Sequence, residues 1–189
     1  MKKTLIIFLF FIFTELHSAS VPINLNESKN NVLIDFPTPP NNGKLLFYIQ
    51  RTLNKNTIIY ELNFNSDGTL NTNEPIHPSW LRYEEGGKKQ DLSYIQRKFA
   101  YGLEYIALNK QKTDFKIYFV CYKKIYIHLM KYQGNNYSAF ALVNNTFMEI
   151  KKIFVNIEGG TMWVPTIKYI DVTGIETASG KYITHRIAV

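Results

Sequence analysis

From Lys44 onward, apolar residues alternate with polar ones or gather in short blocks, separated by clusters of Asn, Gly, Asp and Pro. That is strand texture rather than helix texture. Lys44 to Arg51 and Thr57 to Phe64 are rich in β-branched and aromatic residues and, joined through Asn54-Lys55-Asn56, predict a hairpin. Asn65-Ser66-Asp67-Gly68 is a turn, and Pro75 and Pro78 bracket the entry to the next strand. In that strand, Ser79 to Glu85, the period of two places Trp80, Arg82 and Glu84 on one face and Leu81, Tyr83 and Glu85 on the other. Gly86-Gly87 ends it by taking positive φ. Asp91 then predicts the N-cap of a short helix from Leu92 to Tyr101, with Ile95 and Phe99 on one face and Gly102 closing it at C′.

Further strands are expected at Leu103 to Leu108, Phe115 to Lys123, Lys124 to Tyr132, Tyr137 to Val143, Thr146 to Ile157, Trp163 to Val172 and Lys181 to Ile187. Lys123-Lys124 is expected to form a bulge or corner rather than a tight hairpin. Glu158-Gly159-Gly160 is read as an interruption, and Gly174 and Ser179-Gly180 as turns. Many short strands at this spacing predict a mainly β fold: an antiparallel β-sandwich or barrel with one short helix.

The first twenty residues do not fit that pattern. Lys2 and Lys3 precede an unbroken apolar run from Leu5 to Phe13, and Ser18-Ala19-Ser20 supplies small residues at the spacing of a cleavage site. Residues 1–20 are therefore expected to be a secretory signal peptide, 21–35 a flexible leader, and 36–189 a single β-rich domain. The apolar run falls short of the ~20 residues needed to span a bilayer, so no transmembrane segment is expected after cleavage. The expected address is exported, periplasmic or secreted.

The formal charge is +7; losing Lys2, Lys3 and Glu15 with the signal removes two positive charges and one negative and leaves +6. This favours anionic partners such as a lipid head group or acidic glycan. The lysines are scattered in pairs without a long basic run, so nucleic acid is not an expected partner. Cys121 is the only cysteine, which precludes an internal disulfide. Its setting, Phe119-Val120-Cys121-Tyr122, predicts a buried, unreactive thiol.

The sequence carries no catalytic signature. His77, His128 and His185 lack the close pairing of a zinc site, no Gly-x-Ser-x-Gly elbow is present, and the Gly-Gly pairs lack the spacing of a phosphate loop. No catalytic residue, metal or cofactor is expected. The densest chemistry lies between Trp80 and Gly102, where aromatics, paired charges and glycines crowd together. Candidate binding residues are Trp80, Arg82, Tyr83, Glu84, Glu85, Arg97, Lys98 and Tyr101, with Glu158 beside the second Gly-Gly pair. Arg82 and Arg97 are expected to fork onto Glu84, Glu85 or Glu158. Any of Trp80, Tyr83, Tyr101 and Trp163 left exposed would offer a platform for a sugar ring or an apolar ligand.

Five stretches in order, Leu46-Phe47-Tyr48-Ile49-Gln50-Arg51, Trp80 to Gly87, Arg97 to Gly102, Ile153 to Gly160 and Lys168-Tyr169-Ile170-Asp171, make the chain resemble a family known only as a domain of unknown function, number forty-eight thirty-three. The resemblance spans about Phe36 to Ile187. It implies an exported, single-domain bacterial protein of Bacteroidetes type, and it carries no activity. The expected function is a non-enzymatic binding module for an envelope component, an anionic glycan or lipid. The alternative is a hydrolase of envelope polysaccharide acting through Glu84 or Glu85 with Glu158.

Overall fold

Alternation of apolar and polar side chains gives most of these segments one face to bury, and burying that face builds a single curled sheet of eleven strands. The computed structural model describes residues 36–52, 54–134, 136–160 and 165–188. The expected signal peptide, the leader and Trp163 lie outside the described residues.

The first wing of the sheet is formed by β1 (Leu45–Arg51), β2 (Asn54–Leu62), β3 (Ile76–Arg82) and β4 (Lys88–Asp91), each antiparallel to the next. The second wing is formed by β5 (Leu103–Ala107), β6 (Phe115–Phe119), β7 (Tyr122–Tyr132) and β8 (Asn136–Val143). Both wings join one long strand, β9 (Thr146–Gly160). Its first residues, Thr146 to Glu149, pair antiparallel with β8, and further along the same edge Lys152 to Val155 run parallel to β1. The opposite edge of β9 carries β10 (Pro165–Glu176), and β11 (Tyr182–Ala188) pairs outside it.

Because both wings leave the same edge of β9, they curl toward each other into a half-barrel. Phe47 of β1 and Tyr60 of β2 stack with ring centroids 4.6 Å apart, and Phe119 of β6 meets them edge-on at 6.2 and 5.7 Å. The Tyr105 hydroxyl on β5 donates to the Ile76 carbonyl on β3 at 2.6 Å, tying the far ends of the wings together. Phe47, Tyr60, Phe115 and Phe140 are fully buried, each contributing about 1.5–3 kcal/mol by leaving water. The fold is mainly β with one short helix, as its sequence pattern predicts.

Several local expectations give way to packing. The helix starts later than expected: Ser93, not Asp91, is the N-cap, and it forms a reciprocal capping box with Gln96. The helix α1 (Tyr94–Gln96) continues as a π-helical turn over Arg97–Tyr101. Gly102 does not close it in a left-handed conformation; its φ is −70°, and it is glycine because a Cβ there would lie 1.8 Å from the Arg97 carbonyl oxygen. Phe119 pairs directly with Tyr122, so Val120-Cys121 forms the tight hairpin expected to be absent. The irregularity falls earlier, between Ile117 and Phe119, and Lys123-Lys124 lies within β7.

Strand β3 ends at Arg82, and Tyr83–Glu85 form a 3₁₀ turn before Gly86 and Gly87, whose φ values of 70° and 80° are positive as expected. Glu158-Gly159-Gly160 continues β9 instead of interrupting it. Gly174 lies inside β10, where a Cβ would come 2.0 Å from the Glu149 carbonyl oxygen of the neighbouring strand. The edge strand β4 has no apolar residue to announce it.

Candidate functional site

Where the two wings diverge from β9 they leave a cavity of about 310 Å³. Its walls are overwhelmingly aliphatic. Ile150, Ile153 and Val155 project from β9, and Ile167, Ile170 and Val172 from β10. Ile49 of β1, Ile127 of β7 and Ala141 and Val143 of β8 complete the floor, while the π-helical turn contributes Ala100 and Tyr101. The volume lies at the lower end of the ~300–1,000 Å³ of small-molecule sites.

Phe119 and Tyr122 add two aromatic side chains, and the polar residues on the lining are few: Arg51, Tyr101, Cys121 and Tyr122. Arg51, the last residue of β1, is only 6% exposed. Its Nη1 donates to the Tyr101 hydroxyl, and its guanidinium lies 5.2 Å from the Trp80 ring and 5.9 Å from the Tyr101 ring. Trp80 and Tyr101 meet edge to face at 5.5 Å, and the indole Nε1 donates to Gln96 Oε1 at 3.2 Å. The capping residue of α1 therefore also fixes the tryptophan. Burial pushes the Tyr101 phenol well above its usual value, with Arg51 partly opposing the shift. Burial likewise pushes the Cys121 thiol up to about 12, so this cavity-lining residue is a neutral thiol near pH 7.

The candidates from the sequence divide between this wall and the outer surface. Trp80 and Tyr101 are brought together, but at 6% and 4% exposure they form a buried bracket and not an exposed platform. Tyr83 is half-buried. Arg82 does reach Glu85, at 2.5 Å. Arg97 instead pairs with Glu74 at 2.6 Å and contacts the His77 ring. Glu84 accepts from Asn56 at 3.1 Å, Glu158 pairs with Lys168 at 2.9 Å, and Lys98 sits over the exposed rings of Tyr94 and Phe99. Among the described residues the two arginines and Glu158 take separate partners, Glu85, Glu74 and Lys168, so the expected shared arginine-carboxylate cluster does not form.

Sequence reasoning passed over Arg51 as a site residue. The signal was present: Phe47, Ile49 and Arg51 follow the inward-facing period of β1, so a cation occupies a core position. Among the described residues, no three His, Cys, Asp or Glu side chains converge as a metal site. His77 is held by Asp91 at 2.9 Å, and His128 by Asp114 at 2.5 Å.

No curated protein and no solved structure matches the chain. A family profile does match, over residues 47–186, which contain the quoted stretches from Phe47 onward, the cavity lining except Ile187, and the Arg51 bracket. The chain belongs to the family described as domain of unknown function DUF4833.

Proposed function

We propose that this chain is a non-enzymatic binding module for an amphiphile, an envelope lipid or its acyl fragment, whose apolar chain occupies the cavity between the wings. The observation that carries this reading is the aliphatic cavity of about 310 Å³, with one buried cation on its wall. A space of that size holds on the order of ten waters at ~30 Å³ each, and water in an aliphatic site gains few hydrogen bonds. An acyl chain recovers instead about 0.8 kcal/mol per buried methylene. The signal-like residues 1–20 and the net positive charge support an exported protein meeting anionic amphiphiles.

The test is displacement of a fluorescent fatty-acyl probe from the mature protein, beside the variant Ala141→Leu, which fills the cavity from β8. Saturable binding that this variant abolishes while remaining folded is the expected result. Absence of binding by the unaltered protein, or undiminished binding by Ala141→Leu, overturns the reading.

A further inference from the structure

We propose that the outer face of the second wing is a docking surface for an anionic lipid bilayer, with exposed apolar side chains entering the interface and Lys116 and Lys124 meeting the phosphates. This goes beyond the acyl-binding reading of the cavity and does not depend on it.

The strands that wall the cavity with Ile127 and Ala141 turn their alternate residues outward. The registers set those residues side by side. Ile106 of β5 pairs with Lys116 of β6, Lys116 with His128 of β7, His128 with Phe140 of β8, and Leu142 of β8 with Phe147 of β9. Ile106, Tyr126, Leu142 and Phe147 are between 38% and 55% exposed. Single exposed apolar residues are ordinary, but a run of them across neighbouring strands marks an interaction surface. The rings are linked as well: Tyr118 lies 6.2 Å from Tyr126, and Phe147 stacks on Phe140 at 5.3 Å.

Charge decides the occupant. The carboxylates of this face are already engaged, Glu104 by Lys123 and Glu149 by Lys151, each at 2.6 Å, and Asp114 by His128. Among the described residues Lys116 and Lys124 form no ion pair. The Lys116 ammonium instead lies 4.3 Å from the Tyr126 ring and 5.4 Å from the Tyr118 ring, and Lys124 lies 6.0 Å from the Tyr122 ring. Tyrosine and lysine among aliphatic side chains match the boundary of a bilayer, where the phenol sits at head-group level and the ammonium reaches the phosphates. A second copy of the chain would set these lysines against like charge. The face is also the outside of the curl, a shape suited to a broad surface rather than to gripping an extended peptide.

Cosedimentation of the mature protein with vesicles of phosphatidylglycerol and phosphatidylcholine in equal parts, against vesicles of phosphatidylcholine alone, is the test. Binding should require the anionic lipid and weaken as salt is raised. Lys116→Gln with Lys124→Gln should weaken it about 25-fold, roughly fivefold for each lysine. Ile106→Gln with Leu142→Gln should weaken it about tenfold or more, through lost apolar contact. Lys55→Gln with Lys88→Gln removes the same charge from exposed positions on the first wing and should stay within about twofold of the unaltered protein. Equal binding to both kinds of vesicle, binding to neither, or undiminished binding by either variant of the face overturns the proposal. So does a dimer in sedimentation velocity that Ile106→Gln with Leu142→Gln dissolves, which assigns the face to a second copy. Ala141→Leu, with the cavity filled, should still dock, and loss of docking by that variant overturns the role of the outer face. Docking without uptake of the acyl probe upholds this surface and overturns the cavity reading alone.

Discussion

Gly102 offers a sharp test of how the helix is joined to the cavity wall. An added Cβ would lie 1.8 Å from the Arg97 carbonyl oxygen, 2.8 Å from the carbonyl carbon and 3.2 Å from Arg97 Cα. Ordinary carbon-to-oxygen contacts begin near 3.3 Å, so Gly102→Ala must open the π-helical turn by about 1.5 Å. Overpacking that forces a backbone shift costs about 1–3 kcal/mol, and the obstacle here is main chain, so the expected loss is about 3 kcal/mol. For a domain of this size that is a fall in Tm of about 6–12 °C, read by circular dichroism on heating.

Gly86 provides the control, because it has nothing within 4 Å of its would-be Cβ and only a φ of +70° to explain it. Asn tolerates that left-handed backbone, so Gly86→Asn should be nearly neutral and Gly86→Ala should cost about 1–2 kcal/mol. At Gly102, Asn should be as damaging as Ala. A Gly102→Ala protein melting within about 2 °C of the unaltered chain, or a Gly102→Asn protein as stable as Gly86→Asn, would refute the close-approach argument.

Three more outcomes are expected. Arg82→Ala and Arg97→Ala should each cost less than about 1 kcal/mol in urea unfolding, since the side chains of both pairs are between 32% and 45% exposed; a loss above about 2 kcal/mol would contradict that reading. Stability should fall as pH rises above about 9, because Cys121 and the buried Tyr60, Tyr101 and Tyr105 all ionise less readily folded than unfolded. In that range the native state holds more protons than the unfolded chain, so the slope of stability with pH is negative; unfolding midpoints that stay level from pH 7 to 11 would rule it out. Finally, Cys121 is half-buried rather than fully buried as expected, but its raised thiol pKa should still slow iodoacetamide at pH 8 in the native protein relative to denaturant, and equal rates in both states would count against that shift.

What was readable in the sequence is what local chemistry decides. The hairpins of β1 with β2 and of β7 with β8, the turn at Gly86-Gly87 and the abundance of strands follow from alternation and turn residues. The misreadings lie where neighbours decide. Gly174 looks like a turn residue but is glycine because β10 passes the Glu149 carbonyl too closely for a side chain. Lys88–Asp91 becomes a strand because β3 offers it an edge, not because its own residues ask for one. The crowded stretch from Trp80 to Gly102 does contain two residues of the candidate site, Trp80 and Tyr101. Their partner Arg51 lies 50 positions from Tyr101, and the aliphatic walls are gathered from both wings. Periodicity can mark Arg51 as facing inward but not what it will face.

The position of β9 also sets the order in which the molecule can assemble. Its parallel alignment with β1 joins Tyr48 to Lys152 and Arg51 to Val155, and the Thr52 hydroxyl exchanges hydrogen bonds with the Ile157 backbone 105 residues away. Loops of that length close slowly, and contacts between them form late. The first four strands can zip locally, yet their inner face of Phe47, Ile58 and Tyr60 has no cover until the second wing and β9 have been made. A chain emerging from its N-terminus therefore passes through an interval with a sticky, half-built sheet, and the last third of the polypeptide is what ends that exposure.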